Sequence, residues 1–310
     1  MADVTKASGS VNVGTAPFMM QSMVSSRDDY IKMMVYGSFG TGKTTLAGSA
    51  VDVESMRDVL LIDSEKGYLA LLDNDQIDNA ELITRISVTK FEQLAHIYEF
   101  LKKHCEIRDS RIDESYTEDD RDNRLRKLES MFSGVSAEDI AVPKKFRTVI
   151  IDSLTEIDAA CLRELTGFEY KIGMDMSEDV ETADWGIFRK NLMMMSTVLR
   201  HFRDLPINLI LVCSDKMNQD ERKRNSHLPD VTGQLRQFVQ GIVDVVGFLV
   251  AGDTDTNTNI AERYLFIQPI RGVPVGNFAA KNRRSVYREN HFHNPNMERI
   301  MRGFKLVKDT

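Results

Sequence analysis

Gly37, Gly42, Lys43 and Thr44 stand at the spacing G-x-x-x-x-G-K-[ST] within Gly37-Ser38-Phe39-Gly40-Thr41-Gly42-Lys43-Thr44-Thr45. That spacing has a physical purpose. Glycines let the backbone turn tightly, so successive N–H groups point inward at the oxygens of an anion. The lysine then reaches the β- and γ-phosphates of a nucleotide, and the hydroxyl that follows it suits a magnesium ion. The pattern carries weight only between a strand and a helix. Ile31 to Tyr36 (IKMMVY) reads as a short buried strand, and Thr44 to Ala50 (TTLAGSA) opens a helix whose dipole favours an anion. A glycine turn that matches by chance is the plain alternative, and both flanks argue against it.

Carboxylates come next. Val59-Leu60-Leu61-Ile62-Asp63 is a continuous apolar run ending in an acid, as expected of a strand covered on both faces of a parallel sheet. Ser64-Glu65-Lys66-Gly67 follows at its end, where open α/β sheets place their chemistry. Thr148-Val149-Ile150-Ile151-Asp152-Ser153 repeats the device. Four strand-favouring residues before Asp152 match the Walker B pattern, whose carboxylate holds Mg²⁺ through its water shell. Such a run is common by itself; beside the phosphate loop it is specific.

The elements that must position these groups are readable from periodicity. Asn208 to Cys213 (NLILVC) is another buried strand, closing with Ser214-Asp215-Lys216, and Val245 to Val250 and Tyr264 to Gln268 supply two more. Thr89-Lys90-Phe91-Glu92 reads as a capping box opening a helix with Phe91, Leu94, Ala95, Tyr98 and Leu101 on one face. Ile157, Ala160, Cys161 and Leu165 stripe the next helix, and Phe188, Leu192, Met195, Leu199 and Phe202 a longer one. Residues 1–27 read as a flexible arm and 28–310 as a single α/β domain. Within it, 106–144 is a charged insertion, densest from Asp109 to Lys127, solvated and partly helical through Leu125, Leu128 and Phe132.

Composition sets bounds. A formal net charge of −7 lacks the basic footprint of a protein that coats nucleic acid, so DNA contact must come from local patches. The loop Asp220-Glu221-Arg222-Lys223-Arg224-Asn225 and the segment from Lys281 to Lys305 are such patches. Cys105, Cys161 and Cys213 are widely spaced, with no CxxC pair, which suggests neither disulfides nor zinc and a reducing, cytoplasmic setting. No apolar run approaches the ~20 residues of a membrane span, and the first residues lack an apolar signal core.

In order, these pieces resemble the RecA-like ATPases, a P-loop core with a mainly parallel sheet flanked by helices. More narrowly, the chain is similar to the bacteriophage RecA-like ATP-binding proteins of single-strand annealing recombination. That resemblance covers roughly residues 30 to 290. It rests on Val35-Tyr36-Gly37, Val149 through Glu156, Asp184-Trp185-Gly186, Phe202-Arg203-Asp204-Leu205-Pro206 and Ile267-Gln268-Pro269. It implies ATP and Mg²⁺ as cofactors, with Gly37 through Thr45 on the phosphates and Thr44 and Asp152 on the metal. Glu65, in Ile62-Asp63-Ser64-Glu65, matches the family's water-activating glutamate. A surface acid is the plain alternative there, and Glu156 is the fallback base. Ser214 and Asp215 stand where the family carries a γ-phosphate sensor, although the usual glutamine is absent.

Lys281-Asn282-Arg283 is similar to a K-N-R motif of the RadA proteins that reaches a neighbour's nucleotide. By that likeness Lys281 and Arg283 touch ATP at the boundaries of a homo-oligomer; a solvated basic turn is the alternative. Arg222, Lys223 and Arg224 fall on the loop that touches single-stranded DNA in RecA-like proteins. The implied activity is DNA-stimulated ATP hydrolysis serving annealing or strand exchange in phage recombination. A single-strand-binding protein is a further expected partner, and the cytoplasm of a bacterial host the expected setting. A nucleotide-switched scaffold or loader, acting through protein partners, is the alternative that the acidic balance and charged insertion favour.

Overall fold

All six residues of the strand before the glycine loop are buried, and its alternating side chains feed two different cores. Met33 and Val35 pack into one, Met34 and Tyr36 into the other. This is the period of two expected of a strand buried on both faces. The computed structural model describes residues 30–72, 74–166, 185–219, 225–254, 261–270 and 276–307. The arm at 1–27, Asp184 and the basic triplet Arg222 to Arg224 lie outside them.

In chain order the elements are β1 (Lys32–Gly37), α1 (Lys43–Gly48), β2 (Val59–Asp63), β3 (Ile83–Ser87), α2 (Glu92–Arg108), α3 (Glu118–Ser133) and β4 (Thr148–Asp152). There follow α4 (Leu154–Thr166), α5 (Trp185–Asp204), β5 (Asn208–Gln219), β6 (Asn225–Pro229), α6 (Gly233–Ile242), β7 (Val245–Thr254) and β8 (Ala261–Phe266). The last are β9 (Asn277–Phe278), β10 (Lys281–Asn282), β11 (His291–His293) and α7 (Met297–Gly303).

The sheet runs β11-β8-β7-β1-β5-β4-β2-β3. From β7 to β3 every pairing is parallel, while β8, β10 and β11 add on antiparallel. This is the mainly parallel, helix-flanked sheet expected of a RecA-like P-loop core. Strand β1 is central, and β5 separates it from β4. One face carries Leu94, Leu101, Ile157, Leu199, Phe202 and Leu235 from α2, α4, α5 and α6. The other carries Leu46 and Ala47 from α1 and Ile300 and Met301 from α7. Phe202 is fully buried, so truncating it to alanine should cost ~3–5 kcal/mol.

One local expectation needs correction, and another is met in part. The capping box at Thr89–Glu92 does not form. Instead α2 starts at Glu92, and the Gln93 side chain reaches back to accept from the N–H groups of Thr89 at 2.8 Å and Lys90 at 2.9 Å. The charged stretch at 106–144, read as solvated and partly helical, contains the helix α3. In α3, Thr117 Oγ1 accepts from Asp120 N–H at 3.2 Å, while Asp120 Oδ2 accepts from Thr117 N–H at 3.0 Å. Three acids in the first turn complement the helix dipole. Leu125 and Leu128 are buried, whereas Phe132, assigned to the same stripe, is 62% exposed.

Candidate nucleotide site

Strand β1 ends at Gly37, and the chain turns through Gly42 at φ 89° before entering α1. An L side chain rarely adopts that angle, so glycine is what permits the turn. Lys43 folds back over the loop, its Nζ donating to the carbonyls of Gly37 and Ser38, each at 2.9 Å. Burial lowers its pKa, opposed first by Asp152 and then by Glu65.

Facing Lys43 are the ends of β4 and β2. Thr44 Oγ1 donates to Asp152 Oδ2 at 2.6 Å, so the two residues expected on the metal lie together. Burial pushes the Asp152 carboxyl up to about 6; the Thr44 bond lowers it, while Glu65 and Asp63 raise it. Gly67 lets the backbone come close, because a Cβ there would stand 2.8 Å from Asp152 Oδ2. A hydroxyl and one carboxylate beside a phosphate groove fit Mg²⁺, which is held by one or two protein oxygens plus phosphates and water. Among the described residues no group of three or more His, Cys, Asp or Glu could hold a metal without such help.

The end of β2 is cross-tied to that of β4. Asp63 pairs in register with Asp152, and the Ser64 N–H donates to Asp152 O at 2.7 Å. Ser64 Oγ accepts from Ser153 N–H at 2.9 Å. Ser153 Oγ donates to Glu65 Oε1, which aims an otherwise exposed carboxylate. Asp63 accepts from Gly67 N–H at 2.9 Å and from Arg85 Nε at 2.6 Å. The Arg85 guanidinium in turn lies 3.8 Å from the centre of the Tyr68 ring.

Other sequence candidates fall elsewhere. Glu156 lies in the first turn of α4, where its carboxylate approaches Arg163 Nη2 at 3.9 Å, and the structure does not gather it with Lys43, Thr44 and Asp152. Ser214 pairs in register with Gly37, yet its N–H donates to Thr155 Oγ1 at 3.0 Å. Its neighbour Asp215 is the group that addresses the loop, accepting from Ser38 Oγ at 3.4 Å and pairing with His227 Nδ1 at 2.5 Å. His227 was invisible in the sequence because it comes from the returning strand β6. Lys281 Nζ donates to the carbonyls of Gly241 at 3.2 Å and Val243 at 2.6 Å, and Arg283 Nη2 donates to Gly241 O at 2.7 Å. Within this chain both cations fasten the C-terminal end of α6.

A glycine loop between a central buried strand and a helix, facing two carboxylates at the ends of parallel strands, defines a P-loop nucleotide-binding protein. A family model described as AAA domain matches residues 29–284, and the chain belongs to that family. Among solved structures, one titled "Crystal structure of the RadB recombinase" is similar at a TM-score of 0.39 and 15% identity, over 81% of this chain and 91% of that one. No curated protein matches the chain.

Proposed function

We propose that the protein is a Mg²⁺-dependent ATPase whose turnover is coupled to single-stranded DNA and serves annealing or strand exchange in phage recombination, as a homo-oligomer. The observation that carries the ATPase reading is the Thr44–Asp152 hydrogen bond of 2.6 Å beside a glutamate oriented by Ser153. The loop N–H groups and Lys43 hold the β- and γ-phosphates. Thr44 and Asp152 hold Mg²⁺, which when bound offsets the negative charge of the phosphates. Glu65 takes a proton from the water that attacks the γ-phosphorus, and ADP departs. Positioning and electrostatics dominate such transfers, so a few residues suffice.

The DNA reading draws on Asp215, which contacts Ser38 of the loop and begins the β5–β6 pairing. Arg222, Lys223 and Arg224 occupy the segment joining those strands. The test is the ratio of ATPase rates with and without single-stranded DNA, in the wild type and in Arg222→Glu/Lys223→Glu/Arg224→Glu. A ratio well above one that collapses to one in the triple variant is the expected result, with DNA binding weakening as salt rises. An unchanged ratio in the variant removes the loop from DNA binding.

A nucleotide-switched scaffold is the second reading. Met131 and Phe132, 70% and 62% exposed on α3, favour a protein partner there. Partner capture that needs ATP, in a protein without DNA-dependent turnover, would replace the first reading.

A further inference from the structure

Helices α2 and α3 pack on each other through a narrow seam. Of the 16 residues in α3 only Leu125 and Leu128 are buried, so the two helices touch along one line and splay outside it. The splay leaves a trough of two adjoining hollows, of about 420 Å³ and about 410 Å³. Lys103, Glu106, Leu128 and Met131 line both hollows, which makes them one continuous surface. The α2 wall runs from His96 through Lys103 to Ser110, at intervals of two helical turns. At ~1.5 Å per residue that wall is about 21 Å long.

Apolar groups on α3 stand open along this trough. Phe132 packs edge-on against Phe100, with 5.0 Å between ring centroids, yet most of its surface is exposed, as is that of Met131 beside it. Adjacent exposed apolar side chains rimmed by polar groups mark an interaction surface, unlike apolar residues scattered singly. The charge along the trough is also one-sided. Lys102, Lys103, Arg124 and Lys127 line it against Glu99 and Glu106, in a chain whose net charge is −7. Among the described residues none of those four cations enters a salt bridge; Arg124 lies over the Tyr116 ring at 4.8 Å. The cations around the rest of α3 are matched, Arg121 with Glu118 at 2.6 Å and Lys145 with Asp122 at 3.1 Å.

We propose that this trough docks an acidic amphipathic helix of a partner protein, with its apolar stripe on Leu128, Met131 and Phe132 and its carboxylates on Lys103, Arg124 and Lys127. A helix laid between two others presents side chains at i, i+3, i+4 and i+7, the periodicity of the walls it meets. Burial of the stripe supplies affinity, and carboxylates meeting unpaired cations supply orientation and a faster encounter. A single-stranded nucleic acid would meet the same cations. It is disfavoured because Glu106 stands in both hollows, across the course of a phosphate chain, and the shared floor is Leu128 and Met131 rather than stacking rings. The inference builds on the protein-partner reading of α3. No phosphate-loop residue lines the trough, so its test is read apart from ATP turnover.

That test is selection of random peptides about 16 residues long, enough to span the trough as a helix, from a display library on the full-length protein. Selected peptides should be net acidic with apolar residues at i, i+4 and i+7. The tightest, titrated by fluorescence anisotropy, should weaken about tenfold or more in Lys103→Glu/Lys127→Glu and in Met131→Asp. All three side chains are exposed, so both variants should fold. Arg288→Glu/Lys305→Glu, an equal change of charge on the C-terminal segment, should bind as the wild type does. Failure to select any peptide, selected peptides without an acidic excess, or equal binding to the trough variants overturns the proposal. An oligothymidylate that binds the wild type and is lost in Lys103→Glu/Lys127→Glu, with no acidic peptide selected, reassigns the trough to nucleic acid. A dimer dissociated by Met131→Asp, again with no acidic peptide selected, reassigns it to a second copy of this chain. Acidic peptides bound at the trough by a protein without ATP turnover would uphold the docking site and remove the ATPase reading alone.

Discussion

Asp63 and Asp152 end neighbouring parallel strands, in register, with both side chains removed from solvent, yet their surroundings differ. Asp63 has a cation and a backbone donor: Arg85 on one oxygen, Gly67 N–H on the other. Asp152 has one neutral hydroxyl, from Thr44, and two further carboxylates that raise its pKa, with Lys43 opposing them through space rather than by a direct ion pair. A buried charge without a partner is costly. The first carboxylate is therefore a structural tie, and the second is under-compensated in a way that a bound cation relieves. The difference suggests that β2 supplies rigidity and β4 supplies the place where a ligand acts.

Substitutions can break that division. Glu65→Gln should have the largest effect, lowering ATP turnover by ~10²–10⁴-fold as expected for loss of a general base, with nucleotide affinity retained; turnover at the wild-type rate would reassign the base. Next come the two aspartates, compared by steady-state kinetics and thermal unfolding. Asp152→Asn should reduce turnover by roughly 10²-fold without lowering stability, because it removes a buried charge that has no direct ion pair. Asp63→Asn should destabilise the fold by about 2 kcal/mol, below the 3–5 kcal/mol of a fully buried broken pair because Arg85 is one-third exposed. A destabilised Asp152→Asn with an unaffected Asp63→Asn would reverse the assignment.

At neutral pH the smallest effect concerns a third buried group away from both strands. His104 Nε2–H donates to Lys144 O at 2.8 Å, and burial lowers its pKa to about 4. The unfolded chain binds the proton more readily between pH 6.5 and 4. The neutral ring therefore contributes stability that is present above about pH 6.5 and lost as pH falls toward 4, by at most roughly 3 kcal/mol. His104→Leu should flatten that acid limb in melting curves recorded across the window. An identical slope in the variant would assign the acid sensitivity to other groups.

What was legible in the sequence follows from how local each signal is. The loop, β1, β2, β4 and β5 announce themselves because a parallel strand buried on both faces must be apolar without interruption. Asp152 and Thr44 meet because the ends of parallel strands and the loop share one edge. Edge strand β3, with Arg85 and only partly buried residues, carries no such run. Short strand β6 is the polar returning arm of the hairpin with β5, and β9 and β10 exist through long-range pairing that no local pattern encodes. Lys281 meets carbonyls at the end of α6 within its own chain, a contact that no local pattern encodes. Arg263 and Asn294 are joined by backbone hydrogen bonding, and neither carries a local signature of that contact.

Strand β5 has a mechanical consequence. Its first seven residues are buried, but Lys216 through Gln219 extend beyond the core as an arm supported by β6. Tyr36 grips the returning side, its hydroxyl donating to Ala279 O at 2.7 Å and lying 3.2 Å from His227 O. Asp215 therefore stands where the buried part of β5 gives way to the exposed arm. At ~3.4 Å per residue the arm from Asp215 to Gln219 is about 14 Å long, so a tilt of about 10° at Asp215 sweeps its tip by about 2 Å. A change at Ser38 that reached Asp215 through their 3.4 Å contact would be magnified at the far end of the arm.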